Sequence, residues 1–308
     1  MNDWLFILIA IVCGLACFFL LVMVIDGNRF RLVSYHLKSK KINKPYRFVL
    51  LADLHNKSYG RGNEKLLERI RHLQPEAIFM AGDMLTAKAG CAYDNTIDLI
   101  NSLSADYPVY FSMGNHESRL CNRREAYGDL WDAFEEKLTE AGAVLLRNQQ
   151  QKTKENIQIS GLEIDRRFYA HFKLELMSQE YLNQTLGKAD RSRYQILLAH
   201  NPDYFDRYAA WGADLVLAGH VHGGIMRLPL LGGVISPALK LFPSYDGGMF
   251  RQGESVMILS RGLGMHTLPV RIFNPGELVL ITLSPENSPE KKKSGYNARW
   301  RKENGTVH

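Results

Sequence analysis

The chain has 308 residues, of which 46% are apolar and 23% are charged, and this balance excludes a disordered, collagen-like or low-complexity protein. Its formal net charge of +6 is a mild excess that does not by itself indicate a nucleic-acid partner. Four cysteines in this length exclude a scaffold held together by disulfides.

The N-terminal run from Trp4 to Ile25 has no charged side chain and is long enough for a helix to cross a hydrocarbon core of roughly 30 Å. A cleaved signal peptide is the main alternative, but no basic segment precedes the run and no Ala-x-Ala motif follows it. We therefore predict an uncleaved transmembrane anchor over residues 1–25.

Residues 26–44 are rich in Lys and Arg, and we expect them to form a basic juxtamembrane linker. By the positive-inside rule, these charges favour a single-pass protein of the cell membrane with its main domain in the cytoplasm. The same charges can also lie against anionic headgroups on the other face, so an extracytoplasmic domain is the alternative.

From residue 45 to residue 284, apolar runs typical of buried strands alternate with amphipathic helical patterns. Strand–helix alternation early and strand-on-strand succession late predict an α/β protein with mixed sheets. The predicted strands include residues 47–51, 77–80, 109–113, 196–198 and 215–217, and the predicted helices are 64–73, 96–103, 127–141 and 172–186. Residues 285–308 are polar and basic, and we expect a disordered tail there.

Five of the apolar runs end in residues that can bind metal. The five segments are Asp53-Leu54-His55, Gly82-Asp83, Gly114-Asn115-His116-Glu117, His200-Asn201 and Gly219-His220-Val221-His222-Gly223. In open α/β sheets, ligands bind beyond the carboxyl ends of the strands, so the five segments can converge. Carboxylate oxygens and imidazole nitrogens suit Mn, Fe, Zn or Co, and no cysteine takes part. The sequence therefore predicts a site for divalent metal.

In order and in residue type, these segments resemble the motifs of the calcineurin-like metallophosphoesterases over about residues 47–283. The resemblance implies a four-layer αββα sandwich of two mixed sheets that carries a dinuclear centre for two divalent ions. Seven ligands are implied. Those of one ion would be Asp53, His55 and His222, those of the other would be Asn115, His200 and His220, and the ligand shared by both would be Asp83.

The end of the domain is similar to the membrane-anchored bacterial branch of this family, in Ser260-Arg261-Gly262-Leu263-Gly264 and Pro269-Val270-Arg271. That branch often has Gly-Gly-Gln where this chain has Gly223-Gly224-Ile225, and Pro-Glu where Gly276 intervenes here. Neither departure touches a metal ligand, but both limit what the branch implies about the substrate.

The family resemblance implies hydrolysis of a phosphoester by a metal-bridging hydroxide that attacks phosphorus in line. We expect His116 to protonate the leaving oxygen or to stabilise its developing charge. Glu117 and Asp203 are candidates for orienting the imidazole ligands. Arg261 and Arg271 can bind the substrate phosphate, or they can form surface salt bridges.

Other functions stay open. One alternative is a lipid-pathway pyrophosphatase resembling UDP-diacylglucosamine hydrolase, with a lipid-linked phosphorylated substrate. An apolar wall could serve that substrate, or could be an ordinary helix face packed on the core; its residues are Phe168, Tyr169, Phe172, Leu174 and Met177. A non-catalytic metal-binding scaffold is a minor alternative, because the ligand set and His116 are intact. No basic and aromatic stripe favours nucleic acid, and the pattern does not indicate an oligomeric state.

Overall fold

A computed structural model describes residues 3–153, 155–169, 175–228, 232–235, 241, 243–265 and 269–289. The helices are α1 (Asp3–Asn28), α2 (Glu64–Leu73), α3 (Asp94–Ser104), α4 (Asn115–Asn122), α5 (Arg124–Tyr127), α6 (Leu130–Glu140), α7 (Gln179–Leu186) and α8 (Phe205–Trp211). The strands are β1 (Phe30–Ser39), β2 (Tyr46–Leu51), β3 (Ala77–Ala81), β4 (Val109–Ser112), β5 (Val144–Leu145), β6 (Gln149–Lys152), β7 (Ile157–Leu162), β8 (Tyr194–Ala199), β9 (Leu215–Ala218), β10 (Met226–Leu228), β11 (Gly232–Ile235), β12 (Gly248–Gln252), β13 (Ser255–Leu259) and β14 (Gly276–Pro285).

The strands form two six-stranded mixed sheets, in the orders β1-β14-β2-β3-β4-β5 and β12-β13-β9-β8-β7-β6, and a small β10–β11 ribbon. In the first sheet β2, β3, β4 and β5 run parallel, while β14 is antiparallel to β2. In the second sheet β7, β8, β9 and β13 run parallel between antiparallel edge strands. Each sheet therefore directs the carboxyl ends of its central strands to one edge.

The hydrophobic core has three layers, because successive side chains of a strand point to opposite faces of the sheet. In β2, Phe48 and Leu50 pack between the two sheets, whereas Val49 and Leu51 pack against the helices of the first sheet. Helices α2, α3 and α6 cover that outer face, and α7 and α8 cover the outer face of the second sheet. The predicted αββα sandwich is confirmed.

Strand β1 corrects the prediction of a linker over residues 26–44. It pairs in parallel with β14, from Phe30 opposite Gly276 to Ser39 opposite Pro285. Tyr35 and Leu37 are buried between the sheets. The basic side chains of this segment obscured an alternation that places its apolar residues inward, and the folded region begins well before residue 45.

Two predicted helices are shorter in the structure. The helix predicted over 127–141 is found as α6, which begins at Leu130, because Gly128 with a positive φ of 60° separates it from α5. The helix predicted over 172–186 begins only at Gln179, where Ser178 accepts a hydrogen bond from the backbone N–H of Tyr181. Residues 170–174 lie outside the described part of the chain, as do residues 290–308 of the predicted tail.

Helix α1 is long and apolar enough to cross a membrane, with a mean hydropathy of 3.2 over its most apolar window, none of it buried. A signal sequence near the N-terminus can have the same properties. The last turn of α1 differs from the rest of the helix, because Asp26 and Gly27 are buried in the fold. Asp26 Oδ2 accepts a hydrogen bond of 2.9 Å from the backbone N–H of Asn274, and the ring centroid of Phe18 lies 6.4 Å from that of Phe273. The end of α1 is therefore part of the domain.

Candidate metal centre

The candidate site lies at the common edge where five parallel strands end. The loops after β2, β3, β4, β8 and β9 supply the predicted ligands, and they are, in that order, Asp53 and His55, Asp83, Asn115, His200, and His220 and His222. Strands β2, β3 and β4 belong to one sheet, and β8 and β9 belong to the other. Because the sheets pack face to face, segments far apart along the chain meet at this edge.

The backbone of these loops is held in an unusual conformation. Five of the seven predicted ligands have φ in the left-handed region: Asp53 (51°), His55 (50°), Asp83 (51°), His220 (75°) and His222 (51°). A left-handed backbone conformation costs about 1–2 kcal/mol for a residue other than glycine, and such conformations concentrate at functional sites. At Gly82, a Cβ atom would approach the Gly114 Cα to 2.6 Å, so close contact between the two loops requires glycine.

Three predicted ligands form one group of donor atoms. The Nε2 atoms of His55 and His222 face each other at 3.1 Å, and the His222 Nε2 is 3.3 Å from Asp53 Oδ1. The ligand atoms of all three residues lie within 4.8 Å of one another. Two imidazole nitrogens and a carboxylate oxygen at this spacing can surround a single cation.

A second group shares the other side of the site. His200 Nε2 lies 3.1 Å from Asp83 Oδ2, and the donor atoms of Asp83, His200 and His220 are within 4.8 Å of one another. Asn115 Oδ1 is buried and has no hydrogen-bond partner among the described residues. Asp83 Oδ2 is also 3.9 Å from His55 Nε2, so this carboxylate lies between the two groups.

The charge of the site fits divalent cations. Burial raises the pKa of Asp53 to about 7, and the nearby Asp83 carboxylate adds to the shift. Burial also acts on Asp83, but the imidazoles of His200 and His116 outweigh it and hold the pKa of Asp83 well below its usual range. Burial lowers the pKa of His200, yet the two carboxylates outweigh it and raise this pKa to about 10. Two buried carboxylates among imidazoles thus require positive charge, which divalent ions of the Mn, Fe, Co and Zn type supply.

The structure brings His116 to the same site on the first turn of α4. Its Nδ1 accepts a hydrogen bond of 2.8 Å from the backbone N–H of Ala87, and its own backbone N–H donates to Asp83 Oδ1 at 2.8 Å. Since Nδ1 accepts, the proton of the neutral ring is on Nε2, which lies 4.0 Å from Asp83 Oδ2. Burial lowers the pKa of His116, so the neutral ring with an Nε2–H donor is favoured.

Of the two carboxylates proposed to orient the imidazoles, Glu117 binds the backbone instead. Glu117 is fully buried and accepts backbone hydrogen bonds from Asp83 (2.8 Å), Leu85 (2.9 Å) and Gly114 (2.9 Å), which ties two loops of the site together. Asp203 is exposed at the start of a short 3-10 helix. The ring of His200 is instead oriented by the backbone carbonyl of Ala81, 2.7 Å from Nδ1.

The two arginines considered for phosphate binding have structural contacts. Arg271 is buried and donates to the backbone carbonyls of Gly264 and Asn274, so its guanidinium is already used. Arg261 Nε lies 3.4 Å from Glu277 Oε2 beneath the surface. The Arg271 guanidinium thus has its acceptors within the fold, whereas the Arg261 side chain is partly exposed.

Sequence reasoning missed Asn274. This fully buried side chain donates to the backbone carbonyls of His222 (2.8 Å) and Gly224 (2.7 Å), and so fixes the loop that carries two predicted ligands. The only local signal is the turn around Phe273 and Pro275, which says nothing about a distant partner. Asn274 thereby links the last turn of α1 to the ligand loop.

The predicted apolar wall is only partly a surface. Phe168 and Met177 are buried in the core beneath the second sheet, whereas Phe172 and Leu174 lie outside the described residues. Tyr169 is half-buried, and its ring centroid is 5.1 Å from that of His220. Of the three described residues of this wall, Tyr169 therefore borders the candidate metal centre.

The chain is similar to known proteins over most of its length. A family model described as calcineurin-like phosphoesterase matches residues 46–224, more than half of the chain. Metallophosphoesterase YkuE of Bacillus subtilis is 26% identical over 79% of this chain and 80% of its own length. Phosphodiesterase YaeI of Escherichia coli is 26% identical over 76% of this chain and 82% of its own. A dimetal phosphatase from Danio rerio is similar in structure over 71% of this chain and 88% of its own, with a TM-score of 0.38 and 11% identity.

Proposed function

Because the chain belongs to the calcineurin-like phosphoesterase family and is a metal-dependent phosphoester hydrolase, we propose that the site at the sheet edge is its catalytic centre and that His116 assists the leaving group. The observation that carries this proposal is the convergence of separate strand ends on Asp83. Its carboxylate lies within reach of His55, His200 and His116, at 3.9, 3.1 and 4.0 Å.

We assign seven ligands to two divalent ions, with Mn, Fe, Zn and Co as the candidates. The ligands of the first ion are Asp53, His55 and His222, those of the second are Asn115, His200 and His220, and the shared ligand is Asp83. Two observations support the assignment, namely the grouping of the donor atoms and the buried Asn115 oxygen that lacks a partner among the described residues. When bound, the two cations would polarise a shared water for attack on phosphorus and neutralise the phosphoryl oxygens.

The surroundings of His116 support a role at the leaving oxygen. The oxygen of one water bonds to phosphorus and that water releases its proton to solvent, while the ester P–O bond breaks and the leaving oxygen develops negative charge. His116 Nε2–H donates a hydrogen bond to that oxygen, while the Ala87 N–H keeps Nδ1 an acceptor. Because burial and this N–H both disfavour the imidazolium, His116 stabilises the charge of the leaving oxygen, and solvent completes the protonation.

Helix α1 is proposed as an uncleaved single-pass anchor in the cell membrane. The buried Asp26 supports this, because its hydrogen bond to Asn274 makes the end of the helix part of the domain. The basic flank favours a cytoplasmic domain, and an extracytoplasmic domain is the alternative.

A lipid-pathway pyrophosphatase is the second candidate function. One observation favours it: Asn274 contacts both the end of α1, through Asp26, and the ligand loop, through His222. A single residue, Asn274, therefore connects the loop of the proposed metal ligand His222 to the C-terminal end of the proposed anchor. A lipid-linked phosphorylated substrate could reach a site in that position without leaving the membrane surface.

The test is a turnover screen of the full chain in detergent. Phosphomonoesters, phosphodiesters, nucleotide diphosphates and lipid-linked phosphates are each supplied with Mn, Zn, Fe or Mg. We expect hydrolysis that stops with EDTA and returns with added metal. Two metals per chain without turnover of any substrate would contradict the proposal and favour a non-catalytic scaffold.

A further inference from the structure

A cleft of about 1120 Å³ opens beside the candidate metal centre. Asn115, His116 and His220 line its inner end, and the rest of its wall comes from α4, from the loop between β5 and β6, from the segment around the 3-10 helix Arg166–Tyr169, and from α7. The inner end is thus the side on which His116 meets the leaving oxygen. This volume is slightly above the range of about 300–1,000 Å³ that is typical of small-molecule sites, so the cleft has room for a ligand of that class.

The lining of the cleft carries an excess of positive charge. Its two carboxylates are already near arginines: Glu163 Oε2 lies 2.6 Å from Arg147 Nε, and Asp165 Oδ2 lies 4.0 Å from Arg167 Nε. Three further arginines line the same cleft, Arg119, Arg123 and Arg166. The excess is therefore not cancelled by acidic residues of the cleft wall.

Two of these arginines are placed to reach a ligand. Arg119 follows His116 by three residues on α4, so both side chains lie on the same face of that helix. Arg166 precedes Tyr169 by three residues in its 3-10 helix, a spacing that aligns the two side chains. Both arginines are exposed, and among the described residues neither has an ion pair.

We propose that this cleft holds the leaving group of the substrate, and that the leaving group itself carries a phosphate or diphosphate bound by Arg119 and Arg166. The proposal rests on the proposed function, because the position of His116 decides which side the leaving group occupies. Planar guanidinium groups bind phosphate oxygens through two parallel hydrogen bonds, so two of them can hold one phosphorylated group. The half-buried rings of Tyr169 and Tyr181 provide an apolar surface for its organic part.

The test uses the full chain loaded with Mn in detergent, with ADP as the probe of a phosphorylated leaving group. Binding of ADP is measured by calorimetry and by competition with hydrolysis of bis(p-nitrophenyl) phosphate. We expect Arg119→Gln combined with Arg166→Gln to weaken ADP binding at least tenfold, because charge-assisted hydrogen bonds are lost. The matched control is Arg69→Gln on α2, an exposed arginine outside the cleft that should change the ADP affinity less than twofold.

Uncharged adenosine should bind at least tenfold more weakly than ADP. Lysophosphatidate in mixed micelles is tested beside ADP. The proposal is overturned if the double variant binds both ligands as tightly as the wild type does. If the double variant loses affinity for lysophosphatidate alone, the bound phosphate is that of a lipid, and if it loses affinity for ADP, the bound phosphate is that of a soluble group. Calorimetry does not require turnover, so a protein that binds ADP through these arginines without hydrolysing any phosphoester would contradict only the proposed function.

Discussion

Glu117→Gln tests whether one buried carboxylate holds the metal-binding loops together. Three backbone N–H groups donate to it, those of Asp83 and Gly114 to Oε2 and that of Leu85 to Oε1. Glutamine has nearly the same volume, but its NH₂ group must face at least one of these donors. The substitution therefore changes hydrogen bonding and charge at nearly constant packing.

The expected cost follows from counting these bonds. If the amide oxygen takes the Oε2 position, two bonds become neutral ones, each weaker by about 1 kcal/mol, and a third N–H is left buried at a cost of about 1–3 kcal/mol. The free energy of unfolding of the Mn-loaded protein should fall by about 3–5 kcal/mol. The measurement belongs at pH 8, because burial raises the pKa of Glu117 to about 7 and the wild-type side chain must be ionised. Without Mn the loss should be smaller, because glutamine also removes a buried charge.

Urea unfolding of the full chain in detergent, with and without Mn, gives that free energy, and elemental analysis gives the metals bound per chain. We expect the loss of stability together with metal affinity weakened at least tenfold, since Asp83 is positioned by this contact. Glu136→Gln on the exposed face of α6 is the matched control and should leave both unchanged. An unchanged urea midpoint in Glu117→Gln would refute the reasoning.

Four further outcomes are expected. His116→Ala should retain two metals by elemental analysis and lose about 10²–10⁴-fold in kcat, and unchanged kcat would remove its role. Asp83→Asn should bind fewer than two metals per chain, and two bound ions would contradict a shared ligand. In EDTA, burial raises the pKa of both Asp53 and Glu117 to about 7, above their ordinary values. Their protonated forms therefore stabilise the folded protein below about pH 4, and this contribution is lost as the pH rises to 7. Thermal unfolding should therefore show Mn stabilising the protein more at pH 7 than at pH 5, and the reverse would contradict it. Asp26→Asn should lower the free energy of unfolding by about 1–3 kcal/mol in urea, because a buried N–H loses a charged acceptor, and no change would show that the contact does not hold α1 to the domain.

The sandwich and the meeting of the strand ends were predictable because both depend on local patterns. Apolar runs mark buried strands, and a polar residue directly after such a run must lie at the edge of a sheet. Five such runs end on the same side of two sheets that pack face to face. This arrangement alone is enough to predict that residues such as Asp53 and His200 lie close together.

Contacts between distant residues were not predictable in the same way. The pairing of β1 with β14 joins the two ends of the domain, and an alternating strand with several basic residues resembles a linker. Arg271 and Asn274 read as polar loop residues, and only the fold shows that backbone carbonyls surround them. Glu117 was recognised as important, but its partners are N–H groups, which carry no signal in a sequence.

The buried contact between Asp26 and Asn274 bears on how a soluble form of the enzyme can be made. A truncation that starts after residue 28 would delete the whole apolar segment and, with it, the acceptor that holds the turn beneath the His222 loop. A truncation that starts at residue 26 keeps this acceptor and leaves out nearly all of the exposed apolar surface of α1. Low activity in the shorter protein would then reflect a loosened His222 loop, although every proposed metal ligand is still present.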